Sequence, residues 1–205
     1  MSVTPPIVVG ITGASGAPYA VRLLQQLTAS HRPVSLIVSK YGMRLLDTEM
    51  GIESMDALRE AVGKEAWDSC VETYGNDDRG ARPASGSSLT AGMIVCPCSM
   101  GTLSAIAAGA SRSLIERAAD VTLKERRKLI LVPRETPLSA IHLGNMLRLT
   151  RAGAVIMPAA PGFYHRPKQI AQLVDFMVAR MLDQLGVEQA LVKRWDGEGE
   201  GDRVS

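Results

Sequence analysis

The chain has 205 residues, of which 46% are apolar and only 4% aromatic, and its formal net charge is +2. That composition suits one globular domain with a core built from Ala, Val, Ile, Leu and Met, and it excludes an intrinsically disordered chain. So small a net charge excludes a general nucleic-acid binder while allowing a local basic pocket, and no apolar run approaches the ~20 residues of a membrane helix.

In chain order, Ile7–Thr12 (IVVGIT) is an apolar, β-branched run suited to a strand buried on both faces. Gly13-Ala14-Ser15-Gly16 follows, and Ala17-Pro18 opens a helix on which Ala20, Val21, Leu24 and Leu27 recur at helical spacing. Val34–Ser39 is the second strand, and helices are expected from Tyr41 to about Glu49 and over Met55–Val62. The Gly-, Asp-, Pro- and Ser-rich stretch from Tyr74 to Ser88 reads as a long loop. Met93–Cys96 is a strand, followed by Pro97 to Thr102 and a small-residue helix ending near Ala108. Ser113–Arg126 is an amphipathic helix and Lys128–Val132 a strand closed by Pro133-Arg134-Glu135. Thr136 is a candidate cap, and Pro137 a candidate first residue, for a helix running to about Arg151. Ala154–Met157 is the last strand, a Pro/Gly loop reaches Pro167, and Gln169–Leu185 is the last long helix. The alternation implies a single α/β domain around a parallel sheet with helices on both faces, spanning residues 1–192, with a charged, Gly-rich tail over 193–205.

Met1 to Pro6 lacks the charged and apolar regions of a secretion signal, so a cytoplasmic protein is expected. Cysteines 70, 96 and 98 are odd in number, which speaks against a disulfide framework. Cys96-Pro97-Cys98 has the wrong spacing for a redox pair, and no Cys/His set has zinc spacing, so no metal is expected.

Ligands of such sheets sit at the carboxyl ends of the strands. That rule selects Gly13–Gly16, Ser39-Lys40, Cys96–Thr102, Arg134-Glu135 and Pro158–His165. The Gly13–Gly16 turn lets a ligand approach the backbone, and the helix start behind it offers N–H groups suited to phosphate; without a ligand it is simply a tight turn. It is neither GxGxxG nor a Walker loop, and it lacks the GxSxG of a hydrolase elbow. Ser99-Met100-Gly101-Thr102 is a second hydroxyl-rich turn, or an ordinary helix cap. Arg117, Lys124, Arg134 and Arg180 form an anion pocket or, for the three on helices, a solvated face. Glu135 beside Arg134 is a candidate general acid if buried near phosphate, or else a charge at a helix start. Glu49 is a surface charge or a proton shuttle. Tyr164 is a site phenol or a loop anchor, and Trp195 is incidental or an aromatic lid. His31, His142 and His165 form no triad, and no Asp-rich magnesium motif is present, so the charge of any leaving phosphate would fall to Lys and Arg.

GITGASGAPYA (10–20), PASGS (83–87), CPCSMGTLSAIA (96–107), LIERAADVTLKERRKLILVPRETPLS (114–139) and VIMPAAPGFYH (155–165) together resemble the UbiX family of flavin prenyltransferases, from about Ile7 to Trp195. The resemblance implies a Rossmann-like or flavodoxin-like subunit of a homododecamer with sites at subunit interfaces. It implies reduced FMN held by Gly13, Ala14, Ser15, Ser39, Ser99, Met100, Gly101, Thr102 and Arg134. It implies dimethylallyl phosphate held by Arg117, Lys124, Arg134, Glu135, Tyr164 and Arg180, from more than one subunit. The prenyl carbon is then expected to bond first to flavin N5 and afterwards to C6, giving prenylated FMN for a UbiD-type decarboxylase, as in ubiquinone synthesis. Glu135 would protonate the leaving phosphate, Lys124 and the arginines would balance its charge, Ser15 and Glu49 would move protons, and Trp195 would cover the prenyl tail. The loop before PASGS departs from the resemblance: where relatives often carry an aromatic, this chain reads Asp77-Asp78-Arg79-Gly80-Ala81-Arg82, and Arg79 could favour the diphosphate donor.

Two rival readings stand beside this one, the first of which shares the subunit architecture. An FMN-dependent decarboxylase of the cysteine-decarboxylase group would show a PASANT-like segment where Pro97-Cys98-Ser99-Met100-Gly101-Thr102 stands, and a PxMNxxMW-like segment that the chain around Asn145-Met146 does not reproduce. A flavin carrier without chemistry would keep the two turns but has no need of Glu135 beside Arg134.

Overall fold

In the computed structural model, residues 4–192 are described. Six strands form one parallel sheet: β1 (Ile7–Ile11), β2 (Val34–Val38), β3 (Val71–Gly75), β4 (Gly92–Cys98), β5 (Leu129–Pro133) and β6 (Val155–Ile156), in the order β3-β2-β1-β4-β5-β6. The helices are α1 (Ala17–Ala29), α2 (Lys40–Met50), α3 (Met55–Val62), α4 (Lys64–Cys70), α5 (Met100–Ala107), α6 (Leu114–Lys124), α7 (Ala140–Arg151) and α8 (Ile170–Leu185). This is the Rossmann strand order, with the direction of winding reversed between β1 and β4.

The side-chain period of two sorts each strand between two cores. Ile7, Val9 and Ile11 of β1 join Ile94 and Cys96 of β4 in a cluster with α1 (Leu24, Leu27) and α8 (Val178, Met181). Val8 of β1 and Met93 and Val95 of β4 turn to the other face, against Leu103 and Ile106 of α5 and Leu114 and Ile115 of α6. Cys98 breaks the alternation: it lies with Met93 and Val95, where strict alternation would place it beside Cys96. The register between β4 and β5 slips at the same place, between Val95 and Cys98. Pro97 has no N–H for the ladder, so this end of a central strand is free to depart from regular pairing.

Three elements differ from the sequence expectation. The stretch from Tyr74 was expected to be loop, yet β3 ends on Tyr74-Gly75, and α4 precedes it. An edge strand with mostly exposed residues, Val71–Gly75, carries no apolar run to betray it. The expected Thr136 cap with Pro137 first in the helix is also wrong. Ser139 caps α7 instead: its Oγ accepts the His142 N–H, and the Ser139 N–H donates to His142 Nδ1, so the helix begins at Ala140.

α7 buries only Leu149, while Ile141, Leu143 and Leu147 are 74%, 53% and 51% exposed. No helix among the described residues is long and apolar enough to cross a membrane.

Candidate functional site

The carboxyl ends of β1 and β4 flank a crevice at the reversal of strand order, where open α/β sheets take their ligands. One wall is the turn Gly13–Gly16. Gly16, at φ 130°, is the N-cap of α1 and has no side chain with which to cap it. The cap comes from α2: Glu49 Oε2 accepts the N–H groups of Gly16 at 2.9 Å and Ala17 at 2.8 Å. Pro18 has no N–H, so Glu49 takes the donors that the sequence offered to a phosphate. Part-burial raises the Glu49 pKa, but the Gly16 N–H, the Ser15 hydroxyl, the Ala17 N–H and the charge of Arg134 together hold the carboxyl below its ordinary value. Ser15, Glu49 and Arg134 therefore meet at one place.

α2 reaches this position because its first turn lies directly on β1. A Cβ on Gly42 would stand 2.5 Å from the Ile11 carbonyl oxygen. Ser39 starts α2, its Oγ accepting the Gly42 N–H at 3.0 Å and its own N–H donating to Ile11 O. Gly13 lies against Tyr41, a residue 64% exposed, and Ala14 is buried.

The second wall is the turn Ser99–Thr102. Ser99 Oγ accepts the Thr102 N–H at 3.2 Å and donates to Thr102 Oγ1 at 3.0 Å, capping α5. Ser39 and Ser99 thus both serve as helix caps. Met100 is buried and Gly101 exposed; neither N–H has a hydrogen-bond partner among the described residues. Beyond β5, Arg134 and Glu135 are both exposed, with Glu135 Oε1 accepting the Thr136 N–H at 3.1 Å. The burial expected around Glu135 is not supplied by this chain.

The remaining anion-pocket candidates do not come together within one chain. α6 leads from the carboxyl edge, where the Leu114 N–H meets Asn76 O just past β3, down to Arg127, which donates to Ser88 O and Gly86 O ahead of β4. Lys124, at the end of this 11-residue helix, lies about 16 Å along it, toward the amino ends of the strands, and pairs with Glu125 beside Gly86. Arg117 pairs with Asp120 at 2.9 Å on the same helix. Arg180 lies on α8, across the sheet, and pairs with Asp183 at 3.5 Å. Tyr164, 73% exposed, sits edge-on to Phe176 of α8 at 5.6 Å and to His165 at 5.9 Å. A groove of about 430 Å³ between α1, the end of α2 and α8, lined by Pro18, Val21, Met50, Ile170 and Val174, is separate from the crevice; the Arg22–Asp175 pair walls it. Trp195 and the tail 193–205 lie outside the described residues.

Thr12, which closes the IVVGIT run, is not among the site residues that the sequence predicts. It is buried at the end of β1 and tied to both Pro97 and Ser99. The signal for it was a single hydroxyl closing an otherwise apolar strand. Among the described residues no group of three or more His, Cys, Asp or Glu could hold a metal ion.

The Flavoprotein family model matches residues 1–185. A flavin prenyltransferase UbiX from Pseudomonas aeruginosa is 50% identical over 202 residues, covering 95% of this chain and 96% of that protein. Another, from Halalkalibacterium halodurans, is 50% identical with 93% of each chain covered. Among solved structures, AnUbiX in complex with FMN and dimethylallyl pyrophosphate superposes with a TM-score of 0.88 at 41% identity, covering 96% of this chain and all of that one. A dodecameric FMN-dependent UbiX-like decarboxylase from Escherichia coli superposes at 0.86 with 43% identity, covering 94% of this chain and all of that one. A PPC decarboxylase, 17% identical with a TM-score of 0.59, shares the fold alone. Long motifs in order, the strand-end crevice and these identities agree: the chain belongs to the UbiX flavin prenyltransferase family.

Proposed function

We propose that the protein transfers the dimethylallyl group of dimethylallyl phosphate, or of its diphosphate, to reduced FMN, bonding it to N5 and C6 and releasing prenylated FMN. The observation that carries this reading is that the Ser15 hydroxyl and the charge of Arg134 both act on Glu49, whose carboxylate caps α1 beside the crevice. The crevice fits a flavin mononucleotide. The small-residue turn at Gly13–Gly16 admits a flat ring, while the N–H groups of Met100 and Gly101 and the Arg134 cation supply donors for a phosphate. Gly13, Ala14, Ser15, Ser39, Ser99, Met100, Gly101, Thr102 and Arg134 are the residues assigned to it.

The flavin, when bound, supplies the electron-rich atoms that attack the prenyl carbon. Glu135 protonates the departing phosphate, which requires a proton on its carboxyl at the moment of transfer. Arg117, Lys124, Arg134 and Arg180 balance the phosphate charge without metal, and Tyr164 donates to it. Ser15 and Glu49 pass a proton between the ring edge and the crevice, with the Gly16 N–H, the Ser15 hydroxyl, the Ala17 N–H and Arg134 favouring the Glu49 carboxylate. Exclusion of water from the developing allyl cation falls to the walls of the site.

Arg117 and Lys124 on one face of the sheet, and Tyr164 and Arg180 on the other, are separated within one chain. Their joint action requires subunits to meet, and the exposed apolar row of α7 supports such an assembly. A homododecamer in the cytoplasm, passing its product to a UbiD-type decarboxylase of ubiquinone synthesis, is the setting that fits.

Anaerobic incubation with reduced FMN and either donor, without metal, followed by mass analysis of the released flavin, tests this reading. The expected result is a gain of one dimethylallyl unit, lost in Glu135→Gln while FMN binding persists. If Arg79 acts on the donor, the diphosphate is used faster than the monophosphate at equal concentration. Unaltered flavin with both donors would overturn the transferase reading. Carbon dioxide released from a carboxylate substrate by this protein alone would favour the decarboxylase.

A further inference from the structure

We propose that Thr12 is the positioning residue that holds the two walls of the crevice at their working separation, so that one buried hydroxyl governs flavin affinity. The inference rests on the crevice being the flavin site.

Thr12 is 2% exposed, at the point where β1 stops pairing with β4. Regular β1–β4 pairing ends at Gly10 with Val95, and beyond it β4 slips register. Thr12 bridges the gap with three bonds. Its Oγ1 donates to Pro97 O at 2.9 Å, its N–H donates to the same oxygen at 3.2 Å, and its Oγ1 accepts the Ser99 N–H at 2.8 Å. The hydroxyl proton and an acceptor lone pair are both in use, which makes the site specific for a hydroxyl. The γ-methyl restricts χ1 and keeps the oxygen pointed at β4.

Each wall hangs on this residue. On one side, the Ala14 N–H donates to Thr12 O at 2.9 Å, setting the Gly13–Gly16 turn. On the other, Ser99 is held through its backbone, which leaves its hydroxyl to cap α5 through Thr102. The sheet ladder fixes neither turn, because both lie past its last regular pair. Here the side-chain bonds of Thr12 supplement the one backbone bond, Thr12 N–H to Pro97 O, that still joins the two strand ends.

Thr12→Val keeps the shape but leaves the part-buried Ser99 N–H facing a methyl group. FMN affinity of the assembled protein should fall roughly tenfold, the scale of one lost buried hydrogen bond. KM for FMN should rise accordingly while kcat at saturation changes less than threefold. Thr12→Ser should restore both, and Thr12→Ala, which leaves room for a water, should fall between and serves in place of Val should that variant fail to assemble. The measurement is titration of reduced and oxidised FMN with full-length protein at a temperature well below each variant's melting point. A role in stability alone would lower Tm and leave FMN affinity within twofold of wild type, and that result would overturn the proposal. Wild-type protein that fails to bind FMN would overturn the flavin site and this inference with it. A wild type that binds while Thr12→Val and Thr12→Ala bind equally well would sink the role of Thr12 only.

Discussion

Replacing Glu49 by glutamine tests whether α1 is capped from α2. The carboxylate accepts two helix N–H groups at 2.9 and 2.8 Å, with the Ser15 hydroxyl and the Arg134 charge beside it. Glutamine keeps one neutral oxygen acceptor and removes the charge. Charge-assisted bonds are about twice as strong as neutral ones, and a charge at a helix N-terminus contributes ~0.3–1 kcal/mol. Because Glu49 is only part-buried, solvent screens this gain, and the net loss for Glu49→Gln comes to about 1 kcal/mol, with about 2 kcal/mol for Glu49→Leu. The folded carboxyl has a lowered pKa, so its contribution is fully present above the ordinary glutamate range and disappears as pH falls through the folded value. Urea denaturation at fixed protein concentration, at neutral pH and at several acid values, should show wild type ahead of Glu49→Gln near pH 7 and the gap closing as pH falls below the ordinary glutamate range. Amide exchange at Gly16 and Ala17 should be about fivefold faster in the variant near pH 7, the factor equivalent to the lost 1 kcal/mol. Equal stability and equal exchange at neutral pH, or a gap that persists unchanged into acid, would refute the reasoning.

Gly42→Ala forces a Cβ to within 2.5 Å of the Ile11 carbonyl oxygen and 2.9 Å of its carbon, both backbone atoms. α2 must therefore move, which should cost about 1–3 kcal/mol and loosen the Glu49 contact with α1; an unchanged denaturation midpoint would show that α2 does not lie against β1 in this way. Burial pushes the Cys98 thiol up to about 12, and burial, with Cys98 nearby, pushes Cys96 higher still, whereas Cys70 is only half-buried. Native protein should alkylate at Cys70 alone, and labelling at Cys96 or Cys98 before unfolding would count against the buried β4 strand.

The buried parallel strands were legible because being covered on both faces demands continuous apolar runs. IVVGIT and VSLIVS each ended within a residue of the strand they announced, and Met55–Val62 fell on α3 itself. β3 was not legible because an edge strand needs no such run, and Val71–Gly75 hides its strand in Glu, Thr and Tyr. Pro137 suggested a helix start two residues before the Ser139 capping box that sets it, since both patterns satisfy local rules and only one agrees with the side-chain bonds. For the site, the strand-end rule led to the turns Gly13–Gly16 and Ser99–Thr102, which lie just past β1 and β4. The seating of Glu49 on α1 was invisible, because it joins residues 33 positions apart through the close approach of α2 to β1. Lys124 and Arg180 looked equivalent as helix cations, and only the tertiary path of α6 and α8 sets them on different faces.

The tie from Thr12 to Pro97 spans 85 residues of sequence. The crevice therefore exists only after β4 has inserted beside β1, with β2, β3 and four helices already synthesised between them. Loop-closure entropy makes such a distant pairing a late event in folding. A chain still emerging from the ribosome can complete α1 and α2 and carry half of a binding site with nothing opposite it. Ligand that needs both walls can stabilise only the finished sheet, so flavin supply would act on the yield of mature protein and not on its first steps.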